Sequence, residues 1–397
     1  MELKQPQIWE NEIMPLRVQQ VTPFLAMEVL EQAQRMEKNG HNVIHLELGE
    51  PAGETPFAIK EAAVEAIRNN DTGYTHSMGK LELREEIARY YNRVYGVTVY
   101  PEQVVVTSGS SPAMLLAFSA LFDNGDQVVM SDPYYACYPN FIRYLCADPL
   151  MVPVLEEEGF KLKASEIKKR LNPRVKGILI NSPANPTGTV LNGEDLKELA
   201  ALGPYIIADE VYHGINYTGH DHSILEYTDR AIVINGFSKR NIMTGWRLGY
   251  LIAPPALIRN MQKLQQNLFI CACAFIQAAG IAALKEDRQV LEERFASYNE
   301  RRLYLYNALQ KMGIAPMFPP EGAFYMLANV KKYTNDSYTF AFKILEEAKV
   351  AVTPGIDFGP GAEGYIRISY ACSMENLVEG LSRLEKFFML FEDHLAR

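Results

Sequence analysis

Residues 235–250 read NGFSKRNIMTGWRLGY. The stretch closes an apolar run, 231–235, with the length and β-branched content of a short buried strand. Lys239 stands just past that strand end, and Arg247 follows two turns downstream. Alone, a lysine there is an ordinary surface charge. Its significance comes from other strand ends upstream: Asn185 in NSPANPTG, and Asp209 and Tyr212 in IIADEVYHG.

Outward from this stretch, β and α signals alternate. Strands are expected over 103–107, 127–130, 175–180, 205–208 and 231–235, with helices over 112–122 and 193–202. Short apolar strands separated by helices predict an α/β fold with a parallel sheet covered on both faces. Toward the N-terminus, Ala26, Val29, Leu30, Ala33 and Met36 share one face of a helix over 23–39, stopped by Gly40, and a strand-like run covers 43–48. After about residue 285 the texture changes to a long charged helix, GAFYMLANV, a helix near 338–348 and YIRIS, which reads as a smaller α+β domain. The expected division is 1–45 (N-terminal arm and helix, part of the small domain), 46–285 (large domain) and 286–397 (C-terminal small domain).

Composition narrows the function classes. The 397 residues are 48% hydrophobic, enough for two sizeable cores, with a formal charge of -9. An acidic chain lacks the basic surplus that general nucleic-acid binding needs. The first fifteen residues carry no apolar secretory segment, and no run is long and apolar enough to span a membrane, so a soluble cytoplasmic protein is expected. Five cysteines show neither disulfide nor metal spacing, and Cys271 and Cys273 are expected in a core. His220 and His222 sit in a polar loop and are expected to be solvated, with no metal held there.

The site chemistry starts at strand ends, where open α/β sheets bind ligands. The segment QVVVTSGSSPAMLL is a strand, a Gly/Ser turn and a helix in which Ser110 or Ser111 is expected to cap free N–H groups, a phosphate site by helix dipole and backbone donors. It is neither a GxGxxG nor a P-loop, and taken alone it is only a capped helix. Asp209 either caps the following turn or pairs with a protonated ring nitrogen, while Tyr212 and Asn185 suit a phenolic oxygen on the same ring; Asn185 also fits a plain turn. A lysine in a partly desolvated pocket loses basicity and becomes a nucleophile for aldehydes, so Lys239 can bond covalently to an aldehyde carried by such a ring. Arg247 offers a fork to phosphate. Arg367 alternates with apolar neighbours in YIRIS; facing inward, it takes either an internal salt bridge or a substrate carboxylate. Together these groups match a phosphorylated pyridine aldehyde.

In order along the chain stand LELGEP, GYTHSMGKLELREEI, TSGSSPA, DPYYACYP, NSPANPTG, ADEVY, SKRNIMTGWRLGY, PEGAFY and YIRIS. On these segments the chain resembles the class I/II aminotransferases, pyridoxal-phosphate enzymes of fold type I, over nearly its whole length. The resemblance implies a large domain with a mostly parallel seven-stranded sheet flanked by helices, plus a smaller α+β domain. It implies pyridoxal 5'-phosphate as cofactor, with Lys239 as Schiff-base lysine and general base and Asp209 on the pyridine nitrogen. Tyr212 and Asn185 would hold the phenolic oxygen, Tyr135 stack on the ring, and Ser110, Ser111, Ser238 and Arg247 surround the phosphate. Tyr134 and Tyr138, flanking Tyr135, are expected to pack. Arg367 would grip the substrate α-carboxylate beside Gly49. Tyr74 would reach the phosphate of the other subunit, which implies a homodimer.

The chain departs from many such relatives at Gly236, where they carry a phosphate-contacting serine. The activity implied is transfer of an amino group from an L-amino acid to a 2-oxo acid by a ping-pong mechanism. Phe24 and Tyr135 tilt the donor toward apolar or aromatic amino acids, although His76 or a partner-chain residue could recognise an acid. A C–S β-lyase on the same scaffold is the nearest alternative. A non-catalytic pyridoxal-phosphate-binding regulator lacks a DNA-binding segment here, and a nicotinamide dehydrogenase lacks the glycine fingerprint and leaves Lys239 unexplained.

Overall fold

The computed structural model describes residues 15–395. The N-terminal arm and the expected lack of a secretory leader rest largely on residues 1–14, outside the described residues. The strands are β1 Ile44–His45, β2 Val104–Thr107, β3 Gln127–Asp132, β4 Asp148–Pro153, β5 Val175–Asn181, β6 Tyr205–Asp209, β7 Ala231–Gly236, β8 Gly249–Ile252, β9 Tyr325–Asn329, β10 Val350–Ala351, β11 Thr353–Pro354 and β12 Tyr365–Ser369.

A seven-stranded sheet has the order β2-β8-β7-β6-β5-β3-β4. It is parallel except at β8, which runs antiparallel to both β7 and β2. Successive side chains of a strand point to opposite faces, and here both faces are buried. Val104 and Val106 join one core and Val105 the other; Ala231 and Val233 divide likewise from Ile232 and Ile234. The first core is closed by Ile59, Leu83, Ile87 and Ala279 from three helices, the second by Met114, Phe118, Ile258 and Met261 from two. The reversed strand matters for the site. Gly249, at the start of β8, pairs with Gly236 at the end of β7 and with Thr107 at the end of β2, so residues entering β8 reach the rim where the parallel strands finish.

A third core gathers on the antiparallel sheet β11-β12-β9. Leu305 and Leu309 of the helix Arg288–Lys311, Ile344 of Ser337–Ala348 and Leu377 and Leu384 of Met374–Leu395 pack there with Phe324 and Ile366. Ile44 and Leu46 enter the same core, and β1 pairs in parallel with β10. The run expected as a strand over 43–48 is thus a two-residue strand with an irregular continuation. The helix Leu25–Lys38 buries Ala26, Val29, Ala33 and Met36 of the face expected from its periodicity, while Leu30 is only partly buried.

Cys271 and Cys273 depart from the expected core placement. They lie between the helices Pro255–Leu268 and Ala274–Leu284, where Cys271 is partly exposed and Cys273 exposed. The apolar neighbours that suggested burial belong to the adjoining helix, not to the turn itself.

Candidate active site

A cavity of about 640 Å³ opens at the rim of the large sheet and is closed from the far side by residues of the small one. Among the expected site residues it is lined by Gly49, Ser110, Ser111, Tyr135, Asn185, Asp209, Tyr212, Ser238, Lys239, Arg247 and Arg367. Tyr74 is not among them; it is 89% exposed on the outer surface. His76 does not line the cavity either, and its Nδ1 accepts the Met78 N–H.

At the rim, β2 ends in a turn through Gly109, whose φ is +99°. A Cβ there would stand 2.7 Å from Arg247 Nη2, so only glycine lets the guanidinium approach the helix start. Gly109, and neither serine, holds the cap position of the helix Ser110–Leu121; Ser110 and Ser111 lie inside its first turn. The expectation of a serine cap is corrected accordingly: left-handed backbone, open only to glycine, is needed one residue earlier. The result is a row of free N–H groups, two hydroxyls and a guanidinium around one anion-sized space. Gly236 ends β7 on the same rim. A Cβ at that position would lie 3.1 Å from the Leu248 carbonyl oxygen, a tight contact.

Asp209, at the end of β6, is 5% exposed. Its Oδ1 accepts the Val211 N–H at 3.2 Å, and its Oδ2 accepts the Tyr138 hydroxyl at 2.8 Å. Burial pushes its pKa up to about 6, against the pull of these donors and the positive charges of His213 and Lys239. Tyr138 was expected only to pack, and the structure corrects this: the helix Tyr138–Tyr144 starts at that residue and aims its hydroxyl at the carboxylate. Tyr135 meets Phe24 edge-on, with ring centroids 6.1 Å apart.

Lys239 reaches into the cavity and donates from Nζ to the Gly49 carbonyl at 2.7 Å. Desolvation first, then the Arg367 and Arg247 charges, push its pKa down to about 8. The Tyr212 and Tyr325 hydroxyls are hydrogen-bonded at 2.8 Å, with Tyr325 on β9 also lining the cavity. Tyr325 lay in the quoted PEGAFY segment, but nothing in its spacing showed that it would meet Tyr212.

Arg367, 2% exposed, projects from β12. Nη1 donates to Asn185 Oδ1 at 3.0 Å, and Nη2 donates to the Glu47 carbonyl and, at 3.1 Å, to Thr353 Oγ1. Its guanidinium lies over the rings of Tyr325 and Phe358, 4.4 and 4.7 Å from their centroids. Among the described residues no carboxylate forms a salt bridge with it, and its buried Nε has no hydrogen-bond partner. Of the two readings open for this arginine, the internal salt bridge is removed.

The donor set fits a phosphorylated pyridine aldehyde: an anion cradle, a buried carboxylate at a strand end, an amine of lowered basicity and hydroxyl and amide donors surround one space.

Residues 41–384 match the family described as aminotransferase class I and II. The chain is 39% identical over 368 residues to the (5-formylfuran-3-yl)methyl phosphate transaminase of Methanocaldococcus jannaschii, covering 92% of this chain and 96% of that protein. It is 38% identical over 372 residues to the valine–pyruvate aminotransferase of Mycobacterium tuberculosis, with 92% and 96% covered. Among solved structures, the aspartate aminotransferase from Thermus thermophilus with maleate superposes with a TM-score of 0.90 at 34% identity, over 95% of this chain and 100% of that one.

Proposed function

The chain belongs to the class I and II aminotransferases and is a pyridoxal-phosphate-dependent transaminase; from that premise we propose how its residues divide the work and which donors it takes. Bound pyridoxal 5'-phosphate supplies the electron sink for the substrate Cα. Lys239 would hold the cofactor through its aldehyde carbon, and its free amine would serve as the base that takes the substrate Cα proton and gives it back. A pKa near 8 suits a group that must be neutral to accept a proton and charged to give it back. Asp209 would keep the ring nitrogen protonated, Asn185 and Tyr212 would hold the phenolic oxygen, and Tyr135 would cover the ring. Ser110, Ser111, Ser238 and Arg247 would take the phosphate.

The observation that carries this assignment is Arg367: a buried guanidinium, unpaired with any acid among the described residues, across the cavity from Lys239. A substrate α-carboxylate supplies the missing anion, and Gly49 faces the same space.

Donors with apolar or aromatic side chains are favoured by the remaining walls. Phe24, Met27, Met114 and Phe141 line the cavity. Its cations among the described residues are Lys239, Arg247 and Arg367, each already assigned, while Glu50 adds a negative charge. A distal carboxylate finds no partner in this set.

We assign the protein to a cytoplasmic homodimer. Tyr74 projects into solvent, Leu268 and Ile270 are 53% and 51% exposed, and the Thr75 N–H donates to Cys271 Sγ, tying the two segments together. A second copy seated there would receive Tyr74 toward its phosphate. Among the described residues no helix is long and apolar enough to cross a membrane. The division we propose, 1–45 with 286–397 and 46–285, is supported by the pairing of β1 with β10, which ties Ile44 and His45 to the small domain.

The test is an absorption spectrum of the purified protein with single amino acids added in turn. Conversion of the bound cofactor to its amine form, with one 2-oxo acid released per site by leucine or phenylalanine, supports the reading. Pyruvate and ammonia from a cysteine conjugate without spectral conversion would support the lyase instead.

A further inference from the structure

The helix Leu25–Lys38 carries the outer wall of the cavity at its first turn, with Phe24, Ala26 and Met27 all lining it. A helix start leaves free N–H groups that a local side chain usually accepts. Here the cap residue is Phe24, which has no hydrogen-bonding side chain, and the following residues supply none. The acceptor comes instead from the far end of the chain. Asp357, 8% exposed, takes the Leu25 N–H on Oδ1 at 3.0 Å and the Ala26 N–H on Oδ2 at 3.2 Å. A carboxylate also suits the positive end of the helix dipole. The next residue, Phe358, lies under the Arg367 guanidinium. On the other side, Asn140 of the helix Tyr138–Tyr144 is bonded both ways to the backbone of Thr22, at 3.1 Å in each direction.

We propose that Asp357 is a specificity-positioning residue: its carboxylate clamps the start of the helix Leu25–Lys38 and so fixes the wall of Phe24, Ala26 and Met27 against which the donor side chain packs. Asp357 touches neither cofactor nor substrate. It acts through the helix, at a fixed distance from the Arg367 site because Asp357 and Phe358 are consecutive. The inference rests on the apolar-donor reading given above. A donor long enough to touch the wall therefore depends on the clamp, and alanine, whose methyl stops short of it, does not.

The experiment compares the holoenzyme with Asp357→Ala and Asp357→Asn. For leucine and phenylalanine, KM rises about three- to tenfold in Asp357→Ala, the range of a lost helix cap, while kcat and the KM for alanine stay unchanged. Asp357→Asn keeps the shape and one acceptor oxygen and falls between; it carries the test if the alanine variant does not fold. Hydrogen exchange at the Leu25 and Ala26 amides accelerates in both variants. A KM for alanine that rises in step with leucine overturns the proposal, because Asp357 would then act on the α-carboxylate through Arg367. So does unchanged exchange at those two amides. Rejection of leucine and phenylalanine by the unmodified enzyme is a failure of the donor reading, and the amide exchange then decides the clamp alone.

Discussion

Arg367 of the small sheet donates to Asn185 at the rim of the large one, Nη1 to Oδ1 at 3.0 Å. The bond spans the cavity wall, and the same guanidinium is held from behind by Glu47 and Thr353. A lysine has neither the planar fork nor the reach to keep these partners and still offer two parallel donors to a carboxylate. Arg367→Lys is therefore expected to raise KM for donor and acceptor alike by roughly 10–100-fold, the cost of a lost charged hydrogen-bond pair, with the cofactor spectrum unchanged. An unaltered KM for both substrates would remove Arg367 from substrate binding.

Tyr138 is the only neutral side chain that donates to Asp209 among the bonds described, and it opposes the burial that lifts this carboxylate. In Tyr138→Phe the Asp209 pKa climbs further, so the carboxylate protonates at higher pH. The acid limb of kcat/KM should move up by about one unit, the size of one hydrogen bond to a charged group. Identical acid limbs in variant and parent would mean the hydroxyl is only packed there.

Stability should depend on pH through His45, which lies between Glu47, at 2.8 Å from Nδ1, and Glu37, at 3.2 Å from Nε2. The Glu47 bond, followed by the charges of both acids, raises its pKa from 6.5 to about 9 against the opposing pull of burial. A raised folded-state pKa stabilises fully below the unfolded value and is lost as pH rises through the folded one. The stability lead over His45→Gln should thus be largest at pH 6 and shrink from 6.5 to about 9, by roughly 1 kcal/mol once solvent screening of this half-exposed pair is counted. Paired melts at several pH values check this, and a constant difference would show that the proton on His45 contributes nothing.

If Tyr74 serves the neighbouring subunit, two defective chains complement each other. Lys239→Ala is inactive alone, and Tyr74→Ala binds cofactor weakly. In a mixed dimer, one site joins Lys239 of one chain to Tyr74 of the other. Random co-assembly should restore about a quarter of the wild-type sites, since half of the dimers are mixed and each holds one intact site. Transaminase activity of the co-expressed protein at limiting cofactor measures this. No recovery above the sum of the separate variants would place Tyr74 outside the site.

Much of the fold was legible because burial on both faces writes continuous apolar strands, and helices between them write a longer period. The alternation from Val104 to Asn235 was read in this way, as was the inward face of Ala26, Val29, Ala33 and Met36. What escaped were β4 and β8: Asp148–Pro153 contains two prolines and sits at the sheet edge, and Gly249–Ile252 is a short apolar run whose direction depends on its neighbours and leaves no mark in composition. The cap of the helix Ser110–Leu121 was misplaced by one residue because the deciding feature is a backbone angle at Gly109. Tyr138 was read as packing because nothing local distinguishes a tyrosine that fills space from one whose hydroxyl ends 2.8 Å from a carboxylate 71 positions away.

By itself, then, the sequence determined the alternating architecture, the order of strand ends and the chemistry gathered at them: an amine at Lys239, an acid at Asp209, cations at Arg247 and Arg367. Those properties are local, set by residue type and period. Only the tertiary structure decided that Arg367 has no salt-bridge acid among the described residues, that the reversed β8 brings Arg247 beside Gly109 at the start of the helix Ser110–Leu121, and that Asp357 caps a helix 332 positions earlier in the chain. Each of these is a contact between segments remote in sequence, and such contacts exist only once loop closure has been paid for by burial of the cores.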